Sequence, residues 1–462
     1  MQSNIGLIGL GVMGKNLALN MIDKGFKVSG YDITAQRVQD LRVQNISNFD
    51  AYDNLEDFIS SLECPKKIFV MVPAGSPVDS VIQSLLPFLK DHDIIMDGGN
   101  SFHEDTTRRA KELAEKNINY FGVGVSGGQE GALHGASIMP SGNKESYAEI
   151  SAILESIAAH KDSSPCCTYI GPEGSGHYVK MVHNGIEYAD MQLLSEVYLI
   201  LKYVGNYSNK QISEILSSWQ STEVKSYLVE ITSKVLKEKD SHTDNDLIDM
   251  IVDVAGNKGT GRWTSIESLK QEYNASMLTA AYQARIMSNQ KNLRANFNTA
   301  TQNTQHKPID LDELFKAYSL AKTLAFAQGF GLYADASQRF GWNLNLKNIA
   351  SIFRAGCIIQ AQLLQDIMQA YGDGTKELLL HKDFSDRVYN YKNSLAQITI
   401  LGLEHRLPLP LFTAALTFVN QISHKQLGAN IIQAQRDFFG AHTYERIDIE
   451  GFEHHNWGEN ND

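Results

Sequence analysis

Lys180, His183, Asn184 and Glu187 stand three, four and seven residues apart in the run Gly176-His177-Tyr178-Val179-Lys180-Met181-Val182-His183-Asn184-Gly185-Ile186-Glu187-Tyr188. On a helix that spacing puts all four on one face, with Met181, Val182 and Ile186 elsewhere around the wheel. A lysine and a glutamate on one rigid element, flanked by apolar surface, suit paired proton transfers, one group taking a proton and the other giving one. The same stripe also reads as a solvated helix face with an ordinary Lys–Glu pair. The elements around it must decide.

The first of these elements is a nucleotide cradle. Ile5 to Ile8 form a short apolar run, followed at once by Gly9-Leu10-Gly11-Val12-Met13-Gly14 and a helical pattern from Asn16 to Lys24. Phe26 to Tyr31 then reads as a second strand ending at Asp32, 18 residues beyond Gly14. That order of strand, glycine-rich turn, helix, strand and acid is the context in which such a turn binds a dinucleotide. Gly9 permits the turn, Gly11 lets backbone approach a pyrophosphate, Gly14 lets helix and strand pack closely, and the helix N-terminus offers free N–H groups. Asp32 can accept from the adenosine ribose hydroxyls and would repel a 2′-phosphate. Ile33 beside it supplies no cation, and Arg37 offsets the charge only partly. NAD is the expected cofactor, with NADP as the alternative.

Further strand-like runs follow at Lys67–Val72, Asp93–Asp97 and Tyr120–Val123, separated by helical segments, so the sheet should be mostly parallel. They end in Pro73-Ala74-Gly75, Gly98-Gly99-Asn100-Ser101 and Gly124-Val125-Ser126-Gly127-Gly128. Ligands of such sheets lie beyond the carboxyl ends of the strands, which brings Asn100 and Ser126-Gly127-Gly128 towards a substrate. From about Tyr178 onward strand patterns all but vanish. Gly185–Tyr203, Asn209–Ser217, Ser226–Lys237, Leu311–Phe330 and Ile349–Ala370 have helical spacing, punctuated by Gly205, Gly341 and Gly372. Asn257-Lys258-Gly259-Thr260-Gly261 reads on spacing either as a plain surface turn or as an anion-binding loop.

Composition bounds the function. A chain of 462 residues needs two or three domains, and 43% hydrophobic with 20% charged residues is ordinary for a soluble globular protein. A net charge of −12 argues against a general nucleic-acid or membrane-surface binder, while leaving room for a local cluster that holds a small anion. Cys64, Cys166, Cys167 and Cys357 make neither a disulfide framework nor a zinc knuckle. No apolar run is long enough to span a bilayer and no basic leader precedes the first strand, so a cytoplasmic protein is expected. His183, His442, His454 and His455 lack metal-ligand spacing, and no metal is expected.

Gly9–Gly14, Asp97-Gly98-Gly99-Asn100 and Gly124–Gly128 resemble the signatures of β-hydroxyacid dehydrogenases. The run from Gly176 to Tyr188 narrows the resemblance to the decarboxylating 6-phosphogluconate dehydrogenase family. Asn257–Gly261, Arg354-Ala355-Gly356-Cys357-Ile358-Ile359 and Gln433-Ala434-Gln435-Arg436-Asp437-Phe438-Phe439-Gly440-Ala441-His442-Thr443-Tyr444 are similar to the same family. The resemblance implies an α/β Rossmann domain over 1–177, a large all-helical domain over 178–430 and a tail over 431–462 that reaches the partner of a homodimer. It implies oxidation and decarboxylation of 6-phosphogluconate to ribulose 5-phosphate with NAD(P), the chemistry of the pentose phosphate pathway. Lys180 and Glu187 would be base and acid. Asn100, Ser126, Gly127, Gly128, His183 and Asn184 would hold hydroxyls and carboxylate. Tyr188, Lys258, Thr260 and Arg285, with Arg436 and His442 from the partner's tail, would hold the phosphate. The cofactor would lie on Gly9 to Gly14, Asp32, Ile33, Thr34, Val72, Pro73, Ala74 and Asn100.

Two departures bear on the cofactor. Many NADP-preferring members carry Asn-Arg-Ser/Thr where this chain has Asp32-Ile33-Thr34, and many have lysine at Pro73. Two other readings stay open: a β-hydroxyacid dehydrogenase acting on a smaller, unphosphorylated acid, and a catalytically silent NAD-sensing protein.

Overall fold

The structure, a computed structural model, describes residues 2–257, 259–297 and 306–458. Seven strands form the main sheet: β1 (Ile5–Ile8), β2 (Val28–Tyr31), β3 (Phe49–Tyr52), β4 (Lys67–Val70), β5 (Ile94–Asp97), β6 (Asn119–Ser126) and β7 (Ser137–Ser141). Their order is β3-β2-β1-β4-β5-β6-β7, all parallel except β7, which runs antiparallel to β6. Ile5–Ile8 and Ile94–Asp97 are buried throughout, as continuous apolar runs in a sheet covered on both faces must be. Two strands lie outside the sequence expectation. β3 is an edge strand with only Ala51 buried, and β7 carries Pro140, which is opposite Val123 in its pairing with β6.

The strand order reverses between β1 and β4, and the crevice beyond their carboxyl ends is where a doubly wound sheet binds its ligand. One helix, Ser175–Leu199, leaves that edge and runs into the second layer. It starts before the boundary expected between 177 and 178, because its first turn packs on the sheet: a Cβ at Gly176 would stand 2.2 Å from the Met139 carbonyl oxygen. Helix Leu311–Phe340 crosses it, and Gly329 lets the two approach, since a Cβ there would meet Ile186 Cδ1 at 2.4 Å. Between these helices Lys322 and Asp190, both buried, pair at 2.8 Å, and Asp190 also accepts from Tyr318 at 2.8 Å. Glu196 caps the helix Pro410–Ser423, accepting from the backbone N–H groups of Leu411 and Phe412 at 2.8 and 2.9 Å.

The helix expected over Ile349–Ala370 is two helices, Leu346–Ile352 and Leu363–Gly372. The chain between them is taken from helical geometry by a contact with the other layer. Gly356 has φ +67 and its carbonyl accepts from Ser137 N–H at 2.9 Å. Among the described residues no helix is long and apolar enough to cross a membrane.

Candidate active site

Gly9, with φ +95, turns the chain directly against β4, where a Cβ would stand 2.4 Å from the Met71 carbonyl oxygen. A Cβ at Gly14 would stand 1.9 Å from the Gly9 carbonyl oxygen, whereas nothing lies within 4 Å of that position at Gly11. Helix Val12–Asp23 begins at Gly11 with no side-chain cap, so its first N–H groups are free for an anion. Leu10 is buried, Val12 is exposed and Met13 packs against the core beneath. This glycine turn, bare helix start and following acid fit a dinucleotide.

Asp32 is only 4% exposed. Its carboxylate accepts from Leu10 N–H and Thr34 N–H, each at 2.8 Å, and Arg37 reaches it at 3.4 Å. Burial alone would raise its pKa, but those two N–H groups and the guanidinium hold it below the usual carboxylate range. Ile33 is exposed and Thr34 begins the next helix. Val72, Pro73 and Ala74 follow β4, and the Val72 carbonyl oxygen lies near Gly99. Asn100 is exposed between Gly99 and the buried Ser101.

That loop is held from below by groups no local sequence pattern indicated. Asp97 accepts from Ser101 Oγ at 2.6 Å, Tyr120 OH at 2.9 Å and Gly99 N–H at 3.0 Å. Arg109 forks onto Asp79 at 2.8 and 2.9 Å and donates to the Gly75 carbonyl at 3.0 Å. His177 Nδ1 meets Thr106 Oγ1 at 2.7 Å, tying the start of the Lys180 helix to the same elements.

Lys180 and His183 are buried, and Asn184 and Glu187 half-buried, so the stripe is a lined wall of the crevice and not a solvated face. Lys180 Nζ donates to Asn184 Oδ1 at 2.9 Å. That oxygen also meets His183 Nδ1 at 3.1 Å, which must therefore carry the ring proton. His183 Nε2 then accepts from Ser126 Oγ at 3.2 Å, and Asn184 Nδ2 donates to Thr260 Oγ1 at 2.9 Å. Burial pushes the Lys180 ammonium pKa down, against the pull of Glu187 and of Cys357. Burial and the Lys180 charge hold His183 neutral. Glu187 Oε2 lies 3.9 Å from His183 Nδ1. The backbone is pressed close here: a Cβ at Gly124 would stand 2.7 Å from Lys180 Cβ.

Gly127 and Gly128 have φ of +128 and +61, and the Gly356 carbonyl oxygen lies over Gly127, where a Cβ would meet it at 2.5 Å. Thr260 and Gly261 open helix Thr260–Lys270 and are not loop; Gly259, with φ +93, precedes them. Lys258 lies outside the described residues. The Arg285 guanidinium sits 3.4 Å over the Tyr188 ring and donates to the Gly256 carbonyl at 3.1 Å, and Tyr188 packs on Gly261, which places both beside the start of helix Thr260–Lys270. Among the described residues no hydrogen bond or ion pair joins Arg436 or His442 to this group. Both are exposed on the tail, where Arg436 donates to Gln433 at 3.0 Å.

Among the described residues, His103, Glu104 and Glu267 are grouped closely enough to hold a metal. The Lys270 ammonium lies 2.8 Å from Glu104 and 2.9 Å from Glu267, so the chain supplies its own cation there.

Sheet, glycine turn and buried lysine together fit a dinucleotide-dependent dehydrogenase. The model of the NAD binding domain of 6-phosphogluconate dehydrogenase matches residues 4–171, and that of the C-terminal domain matches 176–457. The NAD(+)-dependent decarboxylating 6-phosphogluconate dehydrogenase of Bacillus subtilis is 46% identical, covering 99% of this chain and 100% of the relative. The NADP(+)-dependent enzyme of the same organism is 45% identical, covering 99% of each. The solved 6-phosphogluconate dehydrogenase of Plasmodium falciparum superposes with a TM-score of 0.94 at 40% identity, covering 98% of this chain and 100% of that one. The chain belongs to the 6-phosphogluconate dehydrogenase family.

Proposed function

We propose that the chain converts 6-phospho-D-gluconate to D-ribulose 5-phosphate and CO₂ through Lys180 as base and Glu187 as acid, with NAD preferred over NADP. When bound, the nicotinamide accepts a hydride from C3 of the substrate. Lys180, its pKa lowered by burial, takes the C3 hydroxyl proton from its neutral form as that hydride leaves. The C–CO₂ bond of the resulting 3-keto acid then breaks, its electron pair passing towards the new carbonyl, and protonated Lys180 stabilises the oxygen that becomes negative. Glu187 delivers a proton to C1 of the enediol. The proton taken from C3–OH is matched by the one given to C1; Lys180 then holds a proton that Glu187 lacks, and its passage from one to the other, directly or through solvent, resets both groups. Asn184 sets the Lys180 Nζ, and Ser126 Oγ, its own proton given to His183 Nε2, turns its lone pairs towards a substrate hydroxyl.

The observation that carries this reading is the buried Lys180 hydrogen-bonded to Asn184 on the face it shares with Glu187. Tyr188, Thr260 and Arg285, with Lys258, supply the phosphate grip. Arg436 and His442 complete it from the partner subunit's tail, a reading supported by their exposure on that tail. Absorbance at 340 nm with 6-phosphogluconate and with unphosphorylated gluconate tests the reading. Turnover of the phosphorylated acid alone is expected; equal turnover of gluconate would leave the cationic cluster without a purpose and overturn it.

A further inference from the structure

Asp437 takes no part in the chemistry above, yet it is fully buried in a segment whose other side chains are largely exposed. It lies on helix Ala429–Gly440, next to Arg436, and the chain turns past His442 into a hairpin of Tyr444–Glu445 with Phe452–Glu453. Its Oδ1 accepts from Thr443 N–H and His454 Nδ1, each at 2.9 Å. Its Oδ2 accepts from His455 N–H at 3.1 Å and Trp457 Nε1 at 2.8 Å. Both oxygens are thus filled by donors from the returning chain. Burial would raise the Asp437 carboxyl, but the His454, His455, Trp457 and Thr443 donors hold it well below the usual carboxylate range. Apolar packing does not hold this unit to its own subunit, since Ile431, Ile432, Phe438 and Phe439 are all exposed.

We infer that Asp437 is the positioning residue of the donated phosphate grip, folding the tail before it docks so that Arg436 and His442 arrive in fixed relation to each other. This rests on the reading that the tail serves the partner subunit's site. A tail ordered only on docking would lose backbone and side-chain freedom at that moment, and phosphate affinity would fall by the cost.

The test measures KM for 6-phosphogluconate, KM for NAD, kcat and inhibition by inorganic phosphate in Asp437→Asn, Trp457→Phe and Arg436→Ala, all as full chains. Asp437→Asn should raise KM for 6-phosphogluconate and the phosphate inhibition constant about tenfold, roughly the loss of a charged hydrogen-bond hub, with KM for NAD unchanged. Trp457→Phe, which removes one donor only, should shift both in the same direction and less. A wild-type KM for the substrate in Asp437→Asn, or equal changes for substrate and NAD, would overturn the inference.

Mixed dimers separate this from the tail reading. Lys180→Ala chains combined with Arg436→Ala chains should regain activity, up to about a quarter of wild type, because half the dimers are mixed and each has one complete site. No recovery there would refute donation of the tail itself. Recovery there with none for Lys180→Ala plus Asp437→Asn would show that Asp437→Asn damages more than the tail, and the positioning role would fall.

Discussion

Replacing Ile33 by arginine is the sharpest test of cofactor choice, because Ile33 is 89% exposed and its loss removes no packing. In the native chain a 2′-phosphate would approach the ionised Asp32. Two unit charges about 5 Å apart repel by ~0.8 kcal/mol at the dielectric of water and by ~3 kcal/mol at an effective value near 20. Arg37, 3.4 Å from the carboxylate and more than half exposed, offsets part of this. A net penalty of about 1–2.5 kcal/mol against NADP corresponds to a roughly 5–70-fold preference for NAD. Ile33→Arg adds a second cation facing the same phosphate and should shift the ratio of kcat/KM for NAD over NADP by at least about tenfold. Asp32→Asn should shift it further while lowering stability by about 1–3 kcal/mol. An asparagine side chain has one acceptor oxygen for the two backbone N–H groups that Asp32 now satisfies. The assay is the initial rate at 340 nm with each cofactor at saturating 6-phosphogluconate. A native preference for NADP, or an unchanged ratio in Ile33→Arg, would refute the charge account.

Two further outcomes concern stability. Lys322→Met leaves Asp190 charged and buried where it now has a cation at 2.8 Å, and chemical denaturation should show a loss of about 3–5 kcal/mol. Burial pushes the Glu196 carboxyl up to about 8, outweighing the Phe412 and Leu411 N–H groups and the Gln192 amide that pull it down. Because the folded pKa is raised, its contribution is full below the unfolded value of 4.5 and is lost as pH rises through about 8. Glu196→Gln should therefore gain stability relative to the native chain between pH 5 and about 8, with thermal midpoints across that range as the check; parallel pH profiles would contradict it.

The sequence revealed what depends on near neighbours. The spacing of Lys180, His183, Asn184 and Glu187 needs only a helix, and the Gly9–Gly14 turn with Asp32 needs only one βαβ unit. Long-range contacts were hidden. The break between Ile352 and Leu363 arises because Gly356 docks on Ser137, a partner far away in the chain. β7 reads poorly as a strand because of Pro140, and only its pairing with β6 gives it that form. Thr260 comes to Asn184 through the crossing of two helices, and Asp97 gathers Ser101, Tyr120 and Gly99 only once the sheet closes. Glycine did signal close approach at Gly14 and Gly176, but not what would approach.

Whether Lys180 takes the C3 proton is decided by a single-turnover measurement on Lys180→Ala. Native enzyme and variant are each mixed with saturating 6-phosphogluconate and NAD, and NADH is followed at 340 nm while substrate affinity is measured calorimetrically. The variant should still bind substrate but form NADH about 10²–10⁴-fold more slowly, the range for loss of a positioned base. In the native enzyme that rate should rise with pH through a value below the ordinary lysine range, since burial depresses Lys180. Near-native NADH formation in Lys180→Ala would mean that another group takes the proton and that Lys180 is not the base.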